Sequence, residues 1–209
     1  IRDSVCTDPA DVLGAPDVGV VVEATGRPLA GAGHALAAVE AGQHVVMVNV
    51  EADVLVGPMI AARAAERGVV YSMASGDQPS LICELVDWAR SNGFDVVAAG
   101  KGTKYLPAYH RSTPDTVWQH YGFTEEYARG AGLNPVMFNS FLDGTKSAIE
   151  MAAVANGTGL APPAEGLLFP PAGADDLARV CIPREHGGAL ARSGTVEVVA
   201  STERDGTPA

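Results

Sequence analysis

Short apolar runs and amphipathic stretches alternate along the first third of the chain. Asp17 to Val22, His44 to Asn49 and Val69 to Met73 are brief, β-branched runs, whereas Pro28 to Ala41 and Val56 to Arg67 place apolar residues at helical spacing. Both helical stretches close on glycine, at Ala41-Gly42 and Arg67-Gly68, the residue that most readily takes the left-handed turn at a helix end. The pattern predicts βαβαβ. Strands this short and apolar belong in a parallel sheet covered on both faces. Pro79 to about Asn92 predicts another helix, with Leu81, Ile82, Leu85, Val86 and Ala89 on one face, and Asp95 to Ala99 another strand. Residues 100–112 carry no amphipathic period and predict a Gly-rich loop. Thr113-Pro114 and Asn134-Pro135 are cap-plus-proline starts of later helices, the second running unbroken to about Asn156-Gly157. Residues 159–183, with five prolines, predict a connecting arm, and Thr195 to Ala200 alternates like a strand. Asp205-Gly206 is a hairpin dipeptide, which predicts a partner strand beyond it.

These elements predict an α/β fold: the second half of a Rossmann-type parallel sheet, followed by an α+β substrate domain. The expected boundaries are 1–76 for the dinucleotide-binding half, 77–165 for the substrate and catalytic domain, and 166–209 for the arm and the start of a following strand region. The phosphate-binding Gly-x-Gly-x-x-Gly turn is not legible as a strand-to-helix element, because Gly31-Ala32-Gly33 lies inside a helical pattern. With Ile1 opening the chain and no targeting segment readable, the expectation is the middle of a longer protein whose first strand lies upstream.

Charge changes the picture by exclusion. Lys and Arg number 14 against 25 Asp and Glu, a net charge of −11, and the sequence pI is about 4.7. A nucleic-acid partner needs a basic footprint, so none is expected. No apolar run approaches the ~20 residues of a membrane span, so no membrane partner is expected either. Cys6, Cys83 and Cys181 are widely spaced and outside any CxxC pattern, which excludes a readable disulfide framework or zinc site and points to a reducing, cytoplasmic compartment.

Ligands of doubly wound sheets sit beyond the carboxyl ends of the strands. Glu23-Ala24-Thr25-Gly26, Asn49 to Asp53 and Ala74 to Asp77 fall there. Glu51, Asp53 and Asp77 could hold Mg²⁺ or Mn²⁺, accept a proton, or cap helices. Capping suits Asp77 best, while Glu51 has no evident structural role. Positive charge is just as localised. Eleven arginines supply most of it, and the three lysines, Lys101, Lys104 and Lys146, all sit beside Gly or Thr. With His110 and Arg111, Lys101 and Lys104 make a basic segment in an acidic chain, as an anion site would require, although each lysine alone reads as a solvated surface residue. On one continuous helix, Asn139, Asp143, Lys146 and Glu150 fall within roughly 60° of one another, a polar stripe on an otherwise apolar helix. It is either a salt-bridge ladder or the lining of a site, and the second reading is preferred because buried ionisable groups cluster at functional sites.

The order Asp17-x-x-Val-Val-Val-Glu23-Ala-Thr25-Gly26, Val45-Val-Met-Val-Asn49, Gly100-Lys-Gly-Thr-Lys-Tyr105 and Asp143-Gly-Thr-Lys146 resembles the homoserine dehydrogenase-like oxidoreductases over nearly the whole chain. Homoserine dehydrogenases follow the Asn with Lys, and here Val50 and Glu51 follow. Asn49-Val-Glu-Ala-Asp53, Gly100 to Lys104, Ser112-Thr-Pro-Asp115 and Asn139 to Glu150 look more like the subgroup of deoxyxylulose-phosphate reductoisomerase-like, SAF-domain-containing enzymes of isoprenoid biosynthesis. The resemblance implies an NAD(P)H-dependent oxidoreductase that reduces a carbonyl of a small, phosphorylated, anionic substrate, with NADP or NAD as cofactor and Mg or Mn as an optional ion. It implies Thr25, Gly26 and Asn49 for the cofactor, Tyr105 and the Thr103 loop for the substrate, and Asp143 and Lys146 for the chemistry. The strand ends add Glu51 and Gly76 to the cofactor site, the basic segment and the polar stripe add Lys101, Lys104, Arg111 and Asn139 to the substrate site and Glu150 to the chemistry, and in the reductoisomerase-like version Glu51 with Asp77 would hold the ion. A homodimer is the expected assembly. The alternatives are reduction of an unphosphorylated semialdehyde and a non-catalytic module that senses a metabolite.

Overall fold

The computed structural model describes residues 5–203, 207 and 208. The chain forms two compact units, divided between Glu84 and Leu85. No helix among the described residues is long and apolar enough to cross a membrane.

In the first unit β1 (Val20–Glu23), β2 (His44–Met47) and β3 (Tyr71–Met73) form a parallel sheet in the order β1-β2-β3, with Val21 beside Val45 and Val45 beside Tyr71. Helices α1 (Pro28–Glu40) and α2 (Val50–Arg67) bury Ala35, Ala38, Val39, Ala52, Ile60 and Ala64 against Val45 and Met47. Only this face of the sheet is covered within the unit. Val20 and Val22 on the other face are exposed, a departure from the expectation of two covered faces. The predicted βαβαβ order is present, but β1 starts at Val20 rather than Asp17, and α2 starts at Val50 rather than Val56. The second shift has a local cause: Asn49 Oδ1 accepts from the Ala52 N–H at 3.2 Å and caps the helix six residues early. Glu51 and Asp53 therefore lie in its first turn, not on a strand-end loop, and Asp53 is not the cap.

Asp53 is buried and accepts from the Tyr71 hydroxyl at 2.7 Å. Burial raises the Asp53 carboxyl above its ordinary value of 3.8, outweighing the lowering effect of that hydrogen bond. A carboxyl that binds its proton more tightly when folded contributes fully below its unfolded value and loses that contribution as pH rises through the folded one. Asp53→Asn keeps an acceptor for Tyr71 and removes the charge. Its melting temperature is expected to exceed that of the unsubstituted protein at pH 7, with the gap closing towards pH 3, as thermal unfolding across that range would show.

Helix α3 (Gln78–Ser91) spans the division between the units, close to its predicted bounds. The second unit is built on β4 (Ala98–Thr103), β5 (Pro171–Ala172) and β6 (Thr195–Ser201), all parallel, in the order β4-β6-β5. Between β4 and β5 lie α4 (Val117–Tyr121), α5 (Glu125–Gly130), α6 (Pro135–Leu142) and α7 (Thr145–Thr158). Tyr109, Val117, Trp118, Ala128 and Leu142 form one buried cluster there. After β5 comes the short α8 (Leu177–Val180).

Four expectations are corrected in this unit. Residues 100–103 are strand rather than loop, because Gly100 and Gly102 let β4 press against β6: a Cβ at Gly102 would come within 2.5 Å of Ser201 Oγ, and one at Gly100 would overlap the Glu197 carbonyl. The start predicted at Thr113-Pro114 is a turn, in which the Thr113 N–H donates to Thr116 Oγ1, and the helix begins at Val117. The predicted long helix is two helices. Gly144, at φ +88°, breaks it, and Val136, Met137 and Phe141 of α6 are exposed rather than buried. The stretch read as an arm carries β5 and α8, and β6 pairs with β4 and β5; beyond it Thr202 and Pro208 form an antiparallel bridge, with the Glu203 N–H donating to the Thr207 carbonyl at 2.8 Å, in keeping with the expected hairpin. The Asp205-Gly206 dipeptide lies outside the described residues.

Candidate functional site

Polar groups gather at the carboxyl ends of β1 and β2. Glu23, the last residue of β1, is buried, and its Oε1 accepts from the Thr25 N–H at 3.3 Å and lies 3.4 Å from His34 Nδ1. Gly31 of α1 lets Glu23 and Asn49 approach the helix: a Cβ there would come 2.6 Å from Asn49 Nδ2 and 2.7 Å from Glu23 Oε2. Both of those atoms are buried and neither makes a hydrogen bond of regular geometry. Burial pushes the Glu23 carboxyl up, yet Thr25, Asn49 and His34 together hold it below its ordinary value of 4.5. Thr25 and Gly26 are exposed beside this cluster, Gly26 at φ +64° and Gly76 at φ +92° after β3. The N-terminus of α1 has no side-chain cap.

A nicotinamide carries a carboxamide, which needs both a donor and an acceptor. Asn49 Nδ2 and Glu23 Oε2, a donor and an acceptor beside Gly31 that make no hydrogen bond of regular geometry, with exposed Thr25 and the uncapped α1 N-terminus, fit such a group. The metal ligands suggested by the sequence fit less well. Glu51 sits in the first turn of α2, Asp77 Oδ1 accepts from the Gln78 N–H at the start of α3, and no group of three or more His, Cys, Asp or Glu able to hold an ion occurs among the described residues.

In the second unit the hub is Asp143, at the break between α6 and α7. Its Oδ1 accepts from the Thr145 N–H at 2.8 Å and its Oδ2 from Asn139 Nδ2 at 2.9 Å. Asn139 is itself buried and accepts from Ser112 Oγ at 2.6 Å, while His110 Nδ1 lies 3.2 Å from the Asp143 carbonyl. Tyr105 stacks on Phe169 with ring centroids 4.2 Å apart. Phe169 is the one non-glycine residue among those described with positive φ, at 51°, and a Cβ at Gly144 would come 3.3 Å from its ring. Burial, then the negative charge of Asp143, raise the Tyr105 hydroxyl above its ordinary value of 10.0.

Glu150 is buried on α7 and forms an ion pair with Lys101 of β4, the two side chains being 7% and 17% exposed. Lys101 therefore faces α7 from a strand and does not share a loop with Lys104 and Arg111, which are exposed in the connector after β4. Lys146 is half-buried in the first turn of α7, three residues after Asp143. Asn139, Asp143 and Tyr105 thus meet around one hub, and Lys101 meets Glu150. Phe169 and the roles of Ser112 and Glu23 are not read from the sequence. Phe169 carries no signal of spacing, and Ser112 and Glu23 stand in the quoted Ser-Thr-Pro-Asp and Glu-Ala-Thr-Gly motifs without a role.

Residues 76–207, well over half of the chain, match the family described as oxidoreductase DRL, catalytic domain. The chain belongs to this family. Residues 1–73 match the family described as homoserine dehydrogenase, NAD binding domain. The resemblance to homoserine dehydrogenase-like oxidoreductases and the α/β class, Rossmann-like half followed by catalytic domain, are borne out at that level. No curated protein matches the chain. Solved structures similar to parts of it include yvaA of Bacillus subtilis, assigned as an oxidoreductase, at 22% identity and TM-score 0.36 over 50% of this chain and 32% of that one. Another is a protein of Archaeoglobus fulgidus assigned as a homoserine dehydrogenase, at 16% identity and TM-score 0.43 over 71% of this chain and 46% of that one. The chain spans less than half the length of either structure.

Proposed function

We infer that this chain is the catalytic portion of an enzyme that uses NADPH or NADH to reduce a carbonyl of a small phosphorylated substrate, in the manner of deoxyxylulose-phosphate reductoisomerase-like enzymes. The observation that carries the reading is the buried Lys101–Glu150 pair inside an oxidoreductase catalytic domain, since a buried ammonium and carboxylate in contact can pass a proton to a nascent alkoxide. The nicotinamide, when bound, supplies the hydride. Asn49, Glu23, Thr25 and Gly26 orient its carboxamide. Lys104 and Arg111 are exposed cations suited to a phosphate as point charge and fork. Lys146 donates a hydrogen bond to the substrate carbonyl and polarises it, and the Lys101 ammonium gives the alkoxide the proton that completes the alcohol, while the Glu150 carboxylate holds Lys101 in place and favours its reprotonation from solvent. Both Asp143 oxygens are already acceptors, so Asp143 orients Asn139 and the start of α7. In the reductoisomerase-like reaction a rearrangement of the carbon skeleton precedes the reduction.

The match of residues 1–73 to the homoserine dehydrogenase NAD-binding domain favours one second reading, reduction of an unphosphorylated semialdehyde. The full-length protein is expected to consume NADPH with deoxyxylulose phosphate in the presence of Mg²⁺ or Mn²⁺, and inorganic phosphate is expected to compete with that substrate. Turnover with aspartate semialdehyde alone would replace the first reading by the second. Nicotinamide binding without turnover of either would favour a sensing module.

A further inference from the structure

We propose that the cavity on the outer face of the β4-β6-β5 sheet binds a small organic cation, a primary ammonium group on a compact apolar body, with Glu197 as its counter-ion. The cavity has a volume of about 420 Å³ and is bordered by β4, β6, the end of β5 and α8. Gly100, Lys101 and Gly102 of β4 all border this cavity, and the Lys101 ammonium is taken up by Glu150 of α7. The cavity thus shares Lys101 with the proposed chemistry, but ligand binding at Glu197 is read without turnover and stands or falls independently of it.

Glu197 is 4% exposed. Its Oε1 accepts from the Leu168 and Val198 N–H groups at 3.0 and 2.9 Å, which fixes the side chain, while its buried Oε2 has no hydrogen-bond partner in the protein. A buried carboxylate oxygen without a donor is costly, and a ligand that brings a charged donor offsets the cost most fully. Few side chains crowd this face: β4 offers two glycines, and Ala98, Ala172, Ala174, Leu177 and Val199 make the rest of the wall mostly apolar. Burial, then the negative charge of Glu197, raise the Cys181 thiol on the same wall above its ordinary value of 9.0. Arg184 and Arg192 border a smaller cavity of about 250 Å³ that Glu197 also touches, but both are exposed and neither pairs with Glu197 among the described residues. The absence of a third ionisable ligand disfavours a metal ion, and the volume suits a small molecule.

The test titrates n-butylammonium and its neutral isostere n-butanol into the full-length protein, followed by saturation-transfer NMR. Butylammonium is expected to bind saturably and about tenfold or more tighter than butanol, the worth of one charged hydrogen bond. Glu197→Gln is expected to abolish that preference, and Leu177→Trp, which fills the cavity from its rim, to abolish binding of both. Equal binding of the two probes, no saturable binding of either, or butylammonium binding retained in both variants would overturn the site. The last result would place the cation elsewhere on an acidic surface. Should Glu197→Gln prove unfolded by circular dichroism, Leu177→Trp decides: retained binding overturns the proposal, and lost binding together with the ammonium preference supports it.

Discussion

Replacing Lys146 by alanine in the full-length protein is expected to lower kcat by about 10²–10³-fold, the scale of losing one preorganised donor to a developing oxyanion, with KM little changed. The reason lies in where the lysine sits. The N-terminal turn of a helix is the positive end of its dipole, and an ammonium there is disfavoured where a carboxylate would be favoured. Lys146 occupies the second position of α7, two residues after the left-handed Gly144. The helix dipole therefore gives no reason for a lysine at this point, and the melting temperature of the variant is read beside its kcat. A large fall in kcat without a fall in stability separates a group that polarises the substrate from one that merely packs. If kcat stayed within a few-fold of the parent, Lys146 would leave the mechanism and the carbonyl would need another donor.

The same neighbourhood shows what a sequence can and cannot disclose. The three strands of the first unit were legible because β-branched runs between glycine-closed helices leave few alternatives, and β1, β2 and β3 fall within a few residues of the runs that predicted them. The start of α2 was not, since Asn49 reads equally as the end of a strand and as the cap of a helix, and only the bond to Ala52 decides. The run of β4 beyond Ala99 was missed because glycine has poor strand propensity, and its value here, letting two backbones close up, exists only once β6 lies beside it. The helical arithmetic that lined up Asn139, Asp143, Lys146 and Glu150 assumed one continuous helix, and Gly144 ends that assumption. Asn139 and Asp143 still meet, because both lie at or before the break, but Glu150 turns to a residue 49 positions away that no local period connects to it. Glu197 stayed hidden for a related reason. In a strand buried along six of its seven positions, one carboxylate looks like an interruption of the pattern until the cavity beside it is seen.

Glu150→Leu is expected to destabilise the catalytic domain by about 3–5 kcal/mol, because it leaves the Lys101 ammonium mostly buried beside an apolar group, whereas Lys101→Met together with Glu150→Leu is expected to recover most of that loss. Urea unfolding of the parent, both single variants and the double variant closes the cycle, and the two sites are expected to be strongly non-additive. Activity then tells structure from chemistry. If the pair only holds β4 to α7, the double variant regains turnover along with its stability. If Glu150 and Lys101 carry the proton, the double variant is as stable as the parent and still inactive, since a methionine and a leucine fill the space but cannot deliver a proton. The single variants cannot make this distinction, because each confounds a lost proton path with a broken buried ion pair. Recovered stability with recovered turnover would move the proton transfer off this pair, and the remaining carboxylate at the site, Asp143, would have to release one of its two hydrogen bonds to take it over.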